Sequence, residues 1–522
     1  MTQSTSSNSD SPKRIIPVFP IDSAVPGAGS THAGVLSVSN VSNVSNVSSD
    51  SAAASAVGGL AEEEETTTYL YKAAQKIYPR SVMGKFAKLR WVIVLLTQMV
   101  FYGLPWIEWG SRQAVLFDLG ARRFYLFGIL LYPQDFIYLT GLLIVCALSL
   151  FLFTAVAGRL WCGYACPQTV YSEIFMWIER RIEGDRSARI RLDQSAMSFE
   201  KFAKKALKQI LWISLALWTG FTFVGYFTPI HQLGKEMIAT QLGPWELFWV
   251  CFYGFATYGN AGYMREQVCM YMCPYARFQS AMFDPDTLIV SYDAARGEPR
   301  GGRSKHDDPT QLRLGACVDC TLCVQVCPTG IDIRKGLQYE CIGCGACADV
   351  CDTVMEKMGY QKGLVRYVTE NALLKGLTNA QMWARILRPR VLVYSSILSV
   401  LIFSIGTSLW FRVPLKFDIV RDRGSLARIT GHGTLENVYR IQIMNVTEQD
   451  QTYQLSVSGI DGIYIHSNTT IKVAAAQSSW VPVQVDIPYE GAVQGSHKIG
   501  FELTPIDQNY KVSEASVFIV PH

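Results

Sequence analysis

Eight cysteines between positions 317 and 351 are spaced for metal chemistry. They read Cys317-x-x-Cys320-x-x-Cys323-x-x-x-Cys327-Pro328, then Cys341-x-x-Cys344-x-x-Cys347-x-x-x-Cys351. Three cysteines at steps of three, followed by a fourth at a step of four, is the bacterial spacing for a 4Fe–4S cluster, and two such runs make two clusters. In doubled runs the fourth cysteine crosses to the other cluster. That rule assigns Cys317, Cys320, Cys323 and Cys351 to one cluster, and Cys341, Cys344, Cys347 and Cys327 to the other. Asp352 stands where a second proline is usual, which changes backbone stiffness and not ligand count. The competing reading is a pair of zinc sites, whose cysteines also come as C-x-x-C. Iron held by thiolate carries single electrons, so the chemistry expected here is electron transfer.

A second pattern repeats upstream. Cys162-Gly163-Tyr164-Ala165-Cys166-Pro167 and Cys269-Met270-Tyr271-Met272-Cys273-Pro274 are both C-x-x-x-C-P, each a few residues past an arginine, Arg159 or Arg265. Cysteines four apart share one face of a helix, and proline ends that helix or opens the next as its first residue. If the two halves pack together, four thiols converge. Thiolates with thioether neighbours such as Met264, Met270 and Met272 suit soft Cu(I). A further cluster and redox-active thiols remain open readings, as does simple packing, since cysteine and methionine are common buried residues. Cys146 and Cys251 lack a partner motif and read as packing residues. His231, with Glu236 and Met237, is a weaker metal candidate, and a lone interfacial histidine is more often solvated. His432, His466 and His497 read as surface residues of the tail.

Apolar runs must position these cysteines. The chain has 522 residues, 49% hydrophobic and only 17% charged. Five stretches approach the roughly 20 apolar residues a bilayer needs: 91–107, 136–158, 209–230, 247–264 and 391–411. Residues 124–134 are apolar but short, and read as an interfacial or re-entrant piece. The segment 159–208 carries ten Lys and Arg, whereas 231–246 carries only Lys235. The positive-inside rule therefore puts the N-terminus, 159–208 and 265–390 in the cytoplasm, and the tail after 411 outside. Thiolate clusters persist in a reducing compartment, which agrees. Arg122 and Arg123, in the first outer loop, read as lipid headgroup anchors. The net charge of +4 is too small to argue for nucleic acid.

Residues 1–68 hold a Ser-Asn-Val repeat and an acidic block, Glu62 to Glu65, and read as disordered, without a signal peptide. Residues 412–522 alternate with period two in segments such as 438–443, 453–457, 480–485 and 498–503, which predicts an all-β sandwich without cysteine. The expected organisation is a multi-domain membrane protein: 1–68 tail, 69–290 membrane domain with four spans of an α-helical bundle, 291–360 inserted α+β two-cluster ferredoxin domain, 361–411 linker and fifth span, and 412–522 outer β domain.

The string Trp161-Cys162-Gly163-Tyr164-Ala165-Cys166-Pro167, the two ferredoxin runs and the β tail resemble the cytochrome c oxidase accessory protein family, the CcoG type, also called FixG or RdxA. The resemblance covers about residues 69–522. It implies an iron–sulfur protein of the bacterial cytoplasmic membrane with an immunoglobulin-like periplasmic tail. It also implies reduction of Cu(II) to Cu(I) for assembly of cbb-type cytochrome c oxidase. Its partners would be a cytoplasmic electron donor and a copper chaperone or oxidase assembly factor. Two other readings stand beside it. One is a quinol-oxidising membrane ferredoxin of a respiratory reductase; the other is a non-catalytic scaffold or redox sensor.

Overall fold

The computed structural model describes residues 76–521, apart from 111, 308–310, 423, 425–426, 431–432, 490–492 and 509. The expected disordered tail and His432 lie outside the described residues.

Four helices are long and apolar enough to cross a membrane: Lys85–Trp106, Pro133–Ala157, Phe199–Val224 and Pro389–Trp410. Their outward faces are bare Leu, Ile and Phe, with Ile137 and Phe403 about three-quarters exposed (74% and 75%). Apolar area of that extent is stable against lipid and not against water. The expected span at 247–264 takes a different form. An α-helix runs 14 residues, Pro244–Thr257, and then widens into a π-helix, Tyr258–Met264. Gly259, Asn260 and Gly262 are poor helix formers. The side-chain amide of Gln168 also draws off the carbonyls of Asn260 (2.9 Å) and Arg265 (3.0 Å).

The basic segment between the second and third of these helices is folded. Helices Pro167–Glu183 and Arg186–Gln194 bury Glu179 against Arg265 (2.9 Å), Arg189 (3.0 Å) and Lys208 (3.6 Å). Burial works against the charged carboxyl of Glu179, but Arg265, Arg189 and Lys208 together outweigh it and hold its pKa below the usual range. Part of the positive charge of this segment is thus structural.

Residues 124–134 correct the interfacial expectation. Val115–Asp118, Arg123–Leu126 and Ile129–Leu131 form an antiparallel three-stranded sheet. Leu116, Tyr125, Leu130 and Tyr132 from this segment pack on Met444 of the β domain. Arg123 donates to the Ala476 carbonyl (3.0 Å) on that same domain, a protein contact where a lipid headgroup was expected. Asp135, buried, pairs with Arg412 (2.5 Å) and with Lys416.

The tail is a β-sandwich with antiparallel pairing throughout. One sheet runs Tyr464–Ile465, Ser478–Pro488, Thr434–Asn445 and Leu415–Arg421, with Arg428–Ile429 at its side. The other runs Thr470–Val473, Gln451–Ser458, Gly495–Pro505 and Val512–Val520. Alternate residues point inward: Tyr439, Ile441 and Ile443 meet Tyr453, Leu455, Phe501 and Leu503 in one core.

Between the third and fourth of the long apolar helices in sequence lies the cysteine-rich segment, bounded by the antiparallel pair Ile289–Tyr292 and Val365–Val368. Its helix Ala346–Met358 reaches back to the first apolar helix. The carboxylate of Asp349 accepts from the backbone N–H of Phe86 (3.1 Å) and Ala87 (2.7 Å), satisfying donors that a helix start leaves free.

Candidate iron–sulfur sites and the membrane-edge cysteines

The two cysteine runs fold into matching loops. In the first, Asp319 and Thr321 adopt left-handed backbone (φ 51° and 55°) around Cys320; in the second, Gly343 and Gly345 do so (φ 67° and 71°) around Cys344. Alternating hand turns successive N–H groups into one concavity, a shape that holds anions such as a cluster with its thiolates. Glycine adopts this backbone freely, whereas a β-branched residue is strained there. Thr321→Gly should therefore stabilise the first loop by about 1 kcal/mol. The check is a higher urea midpoint for loss of iron–sulfur absorbance.

One cavity is walled by Cys317, Cys320, Cys323 and Cys351. A second is lined by five cysteines, Cys323, Cys327, Cys341, Cys344 and Cys347, so Cys323 lines both. Each cavity therefore gathers at least four cysteines in a concave loop, which fits the group the spacing implies. Burial pushes the thiols up: Cys323 to about 11, Cys341 and Cys351 to about 12, and Cys347 well above its ordinary value. Neighbouring cysteines add to this, Cys323 and Cys317 at Cys351, and Cys344, Cys341 and Cys327 at Cys347. Deprotonation must accompany iron binding, so loading is coupled to proton release. Cys317 and Cys344 are buried and Cys320 is exposed, so the first site is the one open to solvent. Arg334, tied to Asp332 (2.8 Å), lines that first cavity.

The membrane-edge motifs differ from a plain helical face. Cys162 lies in a short helix, Leu160–Tyr164, and Cys166 caps the next, with Pro167 as its first residue. Cys269 lies in a π-turn, Val268–Met272, rather than an α-turn; Cys273 caps the helix that opens at Pro274. At Cys166 the backbone N–H groups of Gln168 and Thr169, at the positive end of the helix, favour the thiolate. Burial nevertheless raises the group: Cys162 to about 12 and Cys269 to about 11, with Cys166 also up. The charge of Cys166 is felt at both Cys162 and Cys269, and that of Cys273 at Cys166 and Cys269, so the four thiols are neighbours.

Met270 is half-buried and Met272 is exposed. Met272 lines a cavity with Cys273. Among the described residues no three His, Cys, Asp or Glu side chains form a ready single-ion pocket. Copper at these cysteines therefore rests on residue type and proximity. His231 faces Glu108 (3.6 Å) and the Trp106 ring, while Glu236 bonds Gln232 (2.8 Å); these do not converge on one another. His466 lies near Asp486 (3.7 Å) and His497 near the Val493 carbonyl (2.6 Å).

Several residues besides the cysteines join the two cysteine groups. Arg159, buried, bonds the carbonyls of Tyr339 and Ala276 and reaches that of Cys341 (3.5 Å). Its charge is felt by Cys162, Cys269 and Cys341. Gly163 lies on the second loop itself: a Cβ there would stand 2.8 Å from the Ile342 carbonyl oxygen and 2.9 Å from Cys344 Cα and N. The Tyr164 hydroxyl meets that of Tyr367 (3.0 Å), which donates to the Gly343 carbonyl (2.6 Å). The fully buried Gln279 accepts from Cys162 Sγ (3.3 Å) and donates to Thr154 (3.3 Å). Proximity to the motif flags Arg159 in the sequence; nothing flags Gln279 or Tyr367.

Comparison with known proteins agrees with this anatomy. The chain matches a 4Fe–4S dicluster domain over residues 264–370 and a 4Fe–4S binding domain over 139–184, which includes Cys162 and Cys166. It also matches the Ig-like fold at the C-terminus of FixG over 405–521. It is 37% identical over 422 residues to nitrogen fixation protein FixG of Rhizobium meliloti, covering 75% of this chain and 80% of that one. It is 37% identical over 447 residues to protein RdxA of Cereibacter sphaeroides, covering 84% and 93%. A crystal structure of a FixG-related protein from Vibrio parahaemolyticus aligns with 21% of this chain and 97% of that one, at 26% identity and a TM-score of 0.20. With identity sustained across most of both relatives and the FixG-type module at its end, the chain belongs to the FixG/RdxA family.

Proposed function

We propose that the chain is a five-span electron carrier of the bacterial cytoplasmic membrane that reduces Cu(II) to Cu(I) for assembly of cbb-type cytochrome c oxidase. Residues 69–290 form its membrane part, 291–360 its cytoplasmic cluster domain, 361–411 the linker and last span, and 412–522 its periplasmic module. The crossed ligand sets, Cys317, Cys320, Cys323 and Cys351 against Cys341, Cys344, Cys347 and Cys327, belong to this proposal. Two observations support them: Cys351 lines a cavity with the first run, and Cys327 lines one with the second.

The observation that carries the reading is the contact between the membrane-edge motif and the second cysteine loop, with Gly163 against the Cys344 backbone and Arg159 between the two groups. When bound, the clusters supply single electrons. One electron converts one Cu(II) to one Cu(I), and a low-potential cytoplasmic donor replaces it. Cys162, Cys166, Cys269 and Cys273 hold the ion, their soft sulfurs favouring the reduced product. Gln279 fixes Cys162, and Arg159 offsets the negative charge of the thiolates. A cavity lined by Met272, Cys273 and Phe278 gives copper an approach past an exposed thioether. Cu(I) then passes to a copper chaperone or an oxidase assembly factor.

Purified protein under argon, given a chemical reductant, should turn Cu(II) into Cu(I), read by a Cu(I)-specific chelator. The combined Cys162→Ser, Cys166→Ser, Cys269→Ser and Cys273→Ser variant should keep its iron and lose this activity. Wild-type activity in an iron-replete variant would remove these cysteines from the reaction.

A further inference from the structure

A large cavity lies outside both cysteine groups. It has a volume of about 850 Å³, within the range of small-molecule sites. It opens at the first turns of the helix Lys85–Gly103, beside Pro167–Glu183, and its floor includes Val326, Pro328 and Ala346, which flank Cys327 and Cys347.

Its charge is one-sided. Six cationic side chains line it, Arg80, Lys88, Arg90, Arg180, Arg181 and Arg189, against one carboxylate, Glu173. Arg90 is paired with Glu173 (3.6 Å) and Arg189 with Glu179 (3.0 Å), while Arg181 lies over the Trp177 ring (5.4 Å). Among the described residues Arg80, Lys88 and Arg180 have no carboxylate partner. The rest of the wall is apolar: Trp91 and Trp177 meet edge to face at 6.3 Å, and Val92 is 61% exposed.

A soluble anion would use the cations and leave the tryptophans and Val92 idle. A ligand with an anionic head and apolar tails uses both walls. Cations and tryptophans at the start of a membrane-length helix are where headgroups lie. We infer that this cavity binds the phosphodiester headgroup of an anionic membrane phospholipid, its tails running along Trp91 and Val92, and that the lipid covers the second cysteine site. The inference rests on the chain being lodged in a bilayer, as proposed above.

Full-length protein in non-ionic detergent is titrated with dioleoylphosphatidylglycerol, dioleoylphosphatidylcholine or inorganic phosphate, and bound lipid is counted by native mass spectrometry. Phosphatidylglycerol should be retained in preference to phosphatidylcholine. The combined Arg80→Gln, Lys88→Gln and Arg180→Gln variant should weaken that binding by about 100-fold, since each basic residue near an anionic headgroup contributes several-fold. Lys472→Gln with Lys511→Gln, exposed on the β domain, should leave it unchanged. Lipid loading should also slow bleaching of the clusters in air, and iron content reports that each variant is folded. Equal retention of both lipids, or full binding by the triple variant, would overturn the inference. Displacement by inorganic phosphate would assign the cavity to a free anion and overturn the lipid source. Alkaline extraction of membranes separates the two levels: a chain stripped from the bilayer sinks the membrane reading, whereas a chain that stays and shows no lipid preference sinks only the cavity's role.

Discussion

Cys347→Ser combined with Cys351→Ser should leave the chain with almost no iron, although both residues lie in one run. Cys347 shares a cavity with Cys327, Cys341 and Cys344, whereas Cys351 closes the cavity of Cys317, Cys320 and Cys323. Each single change should lower iron and acid-labile sulfide from about eight atoms to about four, and the pair should remove both clusters. Uncrossed ligand sets predict otherwise: the pair would then empty one site and leave about four iron atoms. Metal and sulfide counts on anaerobic preparations decide between them.

Gly163→Ala should be damaging although it adds only one methyl group. The added carbon would stand within 3 Å of Ile342 and Cys344 backbone atoms, which cannot rotate away as a side chain would. Overpacking of this kind costs about 1–3 kcal/mol. Its functional effect should be larger, because it separates the membrane-edge motif from the second cysteine loop. A displacement of about 1 Å in a positioned reaction can cost on the order of 100-fold in rate. The expected result is near-normal iron, a lowered melting temperature and copper reduction slower by about tenfold to 100-fold. Unchanged reduction in an iron-replete Gly163→Ala protein would mean that this contact is not the functional junction.

What the sequence made legible is what local pattern encodes. The cysteine runs carry the two-cluster 4Fe–4S pattern in their spacing. Alternation marked strands within Thr434–Asn445, Gln451–Ser458, Ser478–Pro488 and Gly495–Pro505 because one face of each is buried. Residues 136–158 became the helix Phe136–Ala157 because nothing in that run interrupts an apolar helix.

What it hid depends on partners far along the chain. The apolar run 124–134 looks like membrane material, yet it is a sheet whose buried face is met by Met444, more than 300 residues later. The widened turn at 258–264 needs Gln168 to draw off two carbonyls. The roles of Gln279 and Asp349 likewise arise only once distant helices meet. Such residues carry no local signature, since a polar side chain in a helix looks alike whether it caps a neighbour or faces water.

The proposed reaction is delivery of electrons from the cluster sites to copper held at the four membrane-edge cysteines. Protein reduced under argon, freed of excess reductant and mixed with Cu(II) tests this most directly, with reoxidation followed by iron–sulfur absorbance and Cu(I) counted. The prediction is one Cu(I) per electron lost, up to about two per chain, with reoxidation much slower when Cys162, Cys166, Cys269 and Cys273 are all serine. Equal reoxidation rates in the two proteins would contradict it.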